Sequence, residues 1–183
     1  MSFSAFLAFP GQGSQHPSML SKGGISDLAL SSEYSHALEC CSDLISHDVF
    51  KLIEEGPEEL INRTSITQPI LILCSYLHFN KLVNTVDINP TYIAGHSLGE
   101  YSALSSAGYL SFSDTLKLLR IRGDAMENAL PNGEGGMIAI LGSTIDEMEK
   151  ILEDNKDEYE TYIANDNSEG QIVISGKNIH LDM

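Results

Sequence analysis

The sequence is short of positive charge. Ten lysines and arginines stand against 26 aspartates and glutamates in 183 residues, a formal net charge of −16. A surface of that sign repels phosphate backbones and anionic headgroups, which excludes nucleic acid and an anionic membrane as general partners. Long apolar runs are missing as well. No stretch approaches the roughly 20 apolar residues needed to span a bilayer. The first apolar run, Phe3 to Phe9, has no basic residue ahead of it and so does not read as a secretory leader. Cysteine is scarce. Cys40, Cys41 and Cys74, two of them adjacent, make no disulfide framework and favour a reducing, cytoplasmic setting. The glycine-rich loop Pro10–Gln15 is followed by no G-K-[ST], which removes the nucleotide-type phosphate loop. Repeats and low-complexity tracts are absent. What is present is a chain long enough for one ordinary domain with a real core.

Punctuation and periodicity divide the chain. Ser4 to Phe9 reads as a short buried strand running into the glycine-rich loop. One or two helices fill residues 31–56. Thr67 is placed to cap a long helix from about Gln68 to Val83, with Pro69 tolerated in its first turn. Ile70, Leu71, Ile72, Leu73, Tyr76, Leu77 and Phe79 leave that helix little polar face, which predicts a central position. Thr91 to Ala94 is a second strand. A helix rich in small residues follows from Leu98 to Ala107, with Gly108 to end it. Ser113 is expected to cap a helix reaching about Leu130. Pro131–Gly136 is the preferred boundary, giving a larger part, residues 1–131, and a smaller one, residues 132–183. Beyond it come a strand at Met137–Leu141, a capping box at Thr144–Glu147, a helix to about Asp154, and strands at Thr161–Ala164 and Gln171–Ser175. The acidic run Asp146–Glu160 reads as a solvated helix face and loop. The fold class is α/β, and both parts look unfinished: two strands are few for a doubly wound sheet, and β-α-β-β is a split unit short of its last helix and strand.

Gly95-His96-Ser97-Leu98-Gly99 has the G-x-S-x-G pattern of a nucleophile elbow, between a strand and a helix. Such a turn exposes the Ser97 hydroxyl over a helix N-terminus, and the Leu98 amide is placed to stabilise an oxyanion. The glycines of Phe9–Gln15 allow close backbone approach to a ligand at the end of a strand. Arg122 is the third element. On a wheel with Leu116 at zero, Leu118, Leu119, Met126, Ala129 and Leu130 fall between about 200° and 320°, and Arg122 falls inside that arc at about 240°. A guanidinium there needs carbonyls or a carboxylate, and it grips a ligand carboxylate bidentately.

Phe9–Gln15, Thr67-Gln68-Pro69, Gly95–Leu104 and Arg122-Gly123 together resemble the malonyl-CoA:acyl carrier protein transacylases, the acyltransferase family of fatty-acid and polyketide synthesis. Gly136–Leu141 and Gln171–Gly176 resemble that family's small subdomain. The resemblance implies a partial α/β-hydrolase-like large subdomain with an incomplete ferredoxin-like small one. It implies Ser97 as the nucleophile carrying malonyl as an ester, and an oxyanion hole of Gln12 with the Leu98 amide. Arg122 would receive the malonyl carboxylate, Gln68 would support the site and His96 would be a wall residue. Malonyl-CoA and acyl carrier protein would be the partners, and no metal or redox cofactor is implied.

The family's catalytic histidine lies beyond the small subdomain, and the sequence reaches Met183 before that region. The reading here is of a truncated product or fragment with little turnover of its own, because loss of a triad base costs orders of magnitude while binding and the oxyanion hole survive. Two alternatives stay open: a serine esterase or thioesterase sharing the elbow, and a catalytically dead remnant that binds coenzyme A esters or carrier protein. Lys117 and Arg120 are the candidate basic patch for an acidic carrier.

Overall fold

One helix, Thr64–Thr85, organises the larger part of the chain because its residues 65–75 leave no side to water. Ile70, Leu71, Ile72, Leu73 and Cys74 are all buried, and five successive buried positions leave a helix no solvent face over that stretch. The computed structural model describes residues 3–131 and 133–181. In chain order the elements are β1 (Phe3–Phe9), α1 (Met19–Lys22), α2 (Ser26–Ala29), α3 (Ser35–Ile45), α4 (Val49–Glu55), α5 (Glu58–Ile61), α6 (Thr64–Thr85), β2 (Ile88–Gly95), α7 (Gly99–Ser106), α8 (Phe112–Glu127), β3 (Gly135–Leu141), α9 (Ile145–Asp154), β4 (Thr161–Ser168), β5 (Gln171–Lys177) and α10 (Asn178–Leu181). They form two compact units, Met1–Glu127 and Asn128–Met183. Asn132, inside the expected punctuation, lies outside the described residues. No helix of the described residues is long and apolar enough to cross a membrane.

In the first unit β1 and β2 pair in parallel, from Phe3 opposite Ile88 to Phe9 opposite Gly95, with an irregularity between Ala5 and Phe6. One face of this two-stranded sheet is open to solvent: Phe6 and Tyr92 stand opposite each other at 64% and 69% exposure. Beside them the Ser4 and Thr91 hydroxyls meet at 2.5 Å. The core lies around α6, where Leu20, Ile25, Ile53 and Ile61 meet Ile70, Leu73, Leu77 and Leu119. Cys41 and Cys74 are buried there, and burial raises both thiols, Cys74 to about 12.

Several boundaries differ from the sequence reading: β2 begins at Ile88 and not Thr91, β4 runs on to Ser168 and not Ala164, and the ends of α6 and α8 move. The long helix starts at Thr64, so Thr67 is not its cap; the Thr67 hydroxyl instead donates back to the Ile61 and Arg63 carbonyls. Arg63 flanks the helix without a side-chain cap, and the acceptor comes from α8: Glu127 takes the Ser65 amide at 3.0 Å. A cap supplied from 62 residues away leaves no local pattern. At α8 the cap is Ser111, whose hydroxyl accepts from the Asp114 amide, in place of Ser113; that helix ends at Glu127 and not at Leu130. The wheel of α8 is also corrected. Its buried stripe is Thr115, Leu116, Leu119 and Gly123, whereas Leu118 and Met126 are more than a third exposed. Gly123 is the reason. A Cβ there would stand 2.8 Å from the Ser65 Cα, so the helix turns its smallest residue toward α6 and the larger ones swing aside.

The second unit is a three-stranded antiparallel sheet of order β3-β5-β4. Ile138, Ile174 and Ile163 form one cross-strand row, and Ile140 and Ile172 stand beside it. This inward face meets Met148 of α9 and Leu181 of α10. Thr144 and Glu147 close the expected capping box. The opposite face exposes Met137, Leu141 and Tyr162. The stretch after Gln171–Ser175 carries one helical turn, Asn178–Leu181.

Candidate active site

Ser97 sits between β2 and α7 with φ at +54°, in the left-handed region that side chains rarely adopt. The turn is held from both ends. The His96 amide donates to the Phe9 carbonyl at 3.0 Å, and the Gly99 amide donates to the His96 carbonyl at 2.8 Å. The elbow has room only for glycine at its flanks: a Cβ on Gly95 would run into the Gly99 carbonyl, and one on Gly99 would run into the Phe9 carbonyl. Leu98 is fully buried at the head of α7, and its amide donates to nothing among the described residues. This strand, strained serine and helix are the elbow expected from the sequence.

Arg122 reaches the serine from α8. Its Nη2 donates to Ser97 Oγ at 3.1 Å and its Nη1 donates to Gln68 Oε1 at 2.9 Å. The arginine is half-buried and Gln68 is completely buried. Gln68 Nε2 in turn donates to the Met126 thioether at 3.3 Å, which turns the oxygen end of the amide toward the guanidinium. One chain of contacts therefore links Met126, Gln68, Arg122 and Ser97. A guanidinium bound to one hydroxyl and one amide oxygen has its charge neutralised by neither partner, and a group of that kind can pair with a small carboxylate.

The other sequence candidates are held by contacts of their own. Gln12 is exposed on the loop after β1, and its Nε2 donates to Thr64 Oγ1 at 3.1 Å. His96 is exposed, with its ring over Gly11: a Cβ on Gly11 would stand 2.7 Å from His96 Nδ1. Among the described residues no imidazole or carboxylate accepts from Ser97 Oγ, and no group of three or more metal-ligating side chains occurs. Lys117 is exposed, but Arg120 is not a free surface cation. It pairs with Asp124 at 2.9 Å and its Nη1 donates to the Ser65 carbonyl at 3.4 Å.

Two features escaped the sequence reading. The first is the set of contacts around Ser65, for which Pro69 was the available signal: a proline in a helix strands the carbonyl four residues earlier. The second is a groove of about 470 Å³ between Leu7, Ala8 and Phe9 of β1, with Pro10 after it, and Leu71, Cys74, Ser75, His78 and Phe79 of α6; Ser97 does not line it.

The chain matches a known family over nearly all of its length. The model of the acyl transferase domain matches residues 6–182. The chain belongs to the acyl transferase domain family. Among relatives of this acyltransferase domain, the malonyl CoA-acyl carrier protein transacylase of Haemophilus influenzae is 38% identical over 174 residues, covering 93% of this chain and 54% of the relative. That of Bacillus subtilis is 40% identical over 173 residues, covering 94% and 42%. The solved malonyl CoA-acyl carrier protein transacylase of Coxiella burnetii has a TM-score of 0.85 and 37% identity, covering 99% of this acyltransferase chain and 56% of that one. A malonyl-transacylase solved in complex with its type II polyketide-synthase acyl-carrier protein has a TM-score of 0.81 and 34% identity, covering 100% and 57%. The chain spans about half the length of the relatives it matches.

Proposed function

We propose that the chain carries the acyl-holding site of a transferase that moves malonyl from coenzyme A to the phosphopantetheine thiol of acyl carrier protein. The observation that carries this reading is the Arg122 guanidinium, 3.1 Å from Ser97 Oγ and aligned by a fully buried Gln68. The thioester carbonyl is attacked by Ser97 Oγ. The bond to coenzyme A sulfur breaks, and the serine proton leaves with the thiol by way of a base. The carrier's thiol then attacks the ester, and the C–Oγ bond breaks as Oγ regains a proton. During both attacks the Leu98 amide, with Gln12 once released from Thr64, receives the oxyanion. Arg122 holds the malonyl carboxylate, and His96 forms part of the wall. The reaction draws on no metal or redox cofactor.

In the same reading residues 1–131 are the α/β-hydrolase-like large subdomain and residues 132–183 a ferredoxin-like small one. The β-α-β-β order with the last strand in the middle of the sheet supports the latter. Three unpaired thiols favour a reducing, cytoplasmic setting.

Among the described residues Ser97 contacts a donor and no base, which favours slow chemistry and supports a second reading: a module that binds coenzyme A esters or carrier protein without turnover. Radiolabelled malonyl-CoA separates the two. Slow label on the chain, abolished by Ser97→Ala, is the expected result. Retention of malonyl-CoA with no label would establish the binding module. Release of free malonate to water would point to an esterase, which the guanidinium in the acyl site disfavours.

A further inference from the structure

Ser65, one turn before Gln68 on α6, is gripped by α8 at three points. Its amide donates to Glu127 Oε2 at 3.0 Å. Its carbonyl accepts from Arg120 Nη1 at 3.4 Å. Its Cα lies against Gly123, where a Cβ would come within 2.8 Å. Arg120, Gly123 and Glu127 are spaced by three and four residues and so share one face of α8. The carbonyl they hold is the one that Pro69 leaves without a helical donor, because residue 69 has no N–H to return to residue 65. Both charged members are anchored in their turn: Arg120 to Asp124 at 2.9 Å, and Glu127 to Arg63 at 2.7 Å.

The clasp and the site share the same two helices. Ser65 and Gln68 are three apart on α6, and Gly123 adjoins Arg122 on α8. A slip between the helices at Ser65 is therefore transmitted to the 2.9 Å bond between Arg122 and Gln68, and from it to the 3.1 Å contact with Ser97. We propose that Arg120, Gly123 and Glu127 are positioning residues: by fixing α8 on Ser65 they aim the Arg122 guanidinium at the acyl site, and so set the preference for an acyl group that bears a carboxylate. This rests on the reading of Arg122 as a carboxylate receptor.

The test is equilibrium binding of malonyl-CoA and acetyl-CoA to the 183-residue chain, with the Gln68 side-chain amide followed by ¹⁵N NMR without ligand. In the wild type malonyl-CoA binds about tenfold more tightly than acetyl-CoA, and Arg122→Ala removes that preference. Arg120→Met and Glu127→Gln cut the preference to about threefold or less, with acetyl-CoA affinity held within about twofold, and Arg120→Lys restores part of it. Both variants move the Gln68 amide resonances in the free chain. Full preference in both variants, beside its loss in Arg122→Ala, would overturn the positioning role. If Arg122→Ala changes nothing, the carboxylate reading fails. The NMR arm then decides alone: shifted Gln68 resonances sustain the clasp, and unshifted ones refute it. Glu127→Gln keeps the shape of its side chain and serves if Arg120→Met does not fold.

Discussion

Ser97 is held in a backbone conformation that costs about 1–3 kcal/mol and persists only where its surroundings over-determine it. Those surroundings are two glycines and two backbone hydrogen bonds. Replacing Gly95 by alanine forces a methyl group into the Gly99 carbonyl, and the elbow must open. A loss of about 3 kcal/mol is expected, as for an overpacked core site, read as a lower urea midpoint at unchanged slope. A neutral Gly95→Ala would show that the turn is looser than its contacts indicate. Arg122 makes its own prediction. Its two polar contacts are to neutral oxygens, so Arg122→Ala leaves no buried carboxylate stranded. The fold should survive a loss of about 1–3 kcal/mol, the cost of leaving the buried Gln68 oxygen without its donor, while the malonyl preference disappears. A large stability loss would mark the arginine as structural first.

At the scale of elements, the join of α6 to α8 depends on a carboxylate. Hydrogen bonds from Ser65, with the Arg63 guanidinium beside them, bring the Glu127 carboxyl down from its ordinary value to about 2. A depressed native value means that the unfolded chain takes up the proton first. The stability Glu127 contributes is complete above about pH 4.5 and drains away as pH falls toward 2. Urea midpoints should differ between wild type and Glu127→Gln at pH 7 and converge as the pH reaches about 2. An equal difference at both values would assign the effect to shape and not to charge. The same join explains what could and could not be read from sequence. Thr144 and Glu147 were legible as a capping box because both partners lie within one turn. The cap of α6 was not, because Glu127 is 62 residues from the amide it accepts. The apolar arc of α8 misled because it ranks residues by hydropathy. The true interface was chosen by the small size of Gly123, and Ile121 was left 66% exposed. Arg122 does find polar partners in Gln68 and Ser97, but the arc that singled it out is not the buried stripe; it is half-buried because it adjoins Gly123.

At the scale of the whole molecule, unsatisfied surface competes with charge. The two-stranded sheet leaves the outer edges of β1 and β2 unpaired among the described residues, with Phe6 and Tyr92 open on one face. The second unit exposes Met137, Leu141 and Tyr162. Such edges and patches drive association. A net charge of −16 opposes it, through a repulsion that salt screens over about 10 Å at 0.1 M. Light scattering should therefore show the oligomer fraction rising with sodium chloride, and Phe6→Lys with Tyr92→Lys should suppress the rise. A monomer at every salt concentration would mean that these faces are not adhesive.

All three cysteines lie on α3 and α6, and the described part of the second unit has none. Their burial makes a chemical clock. Cys41 and Cys74 can meet a thiol reagent only when the helices around α6 come apart, while Cys40, half-buried, is labelled from the folded state. Time-resolved mass spectrometry during labelling would then time the opening of one unit, with the other silent by composition.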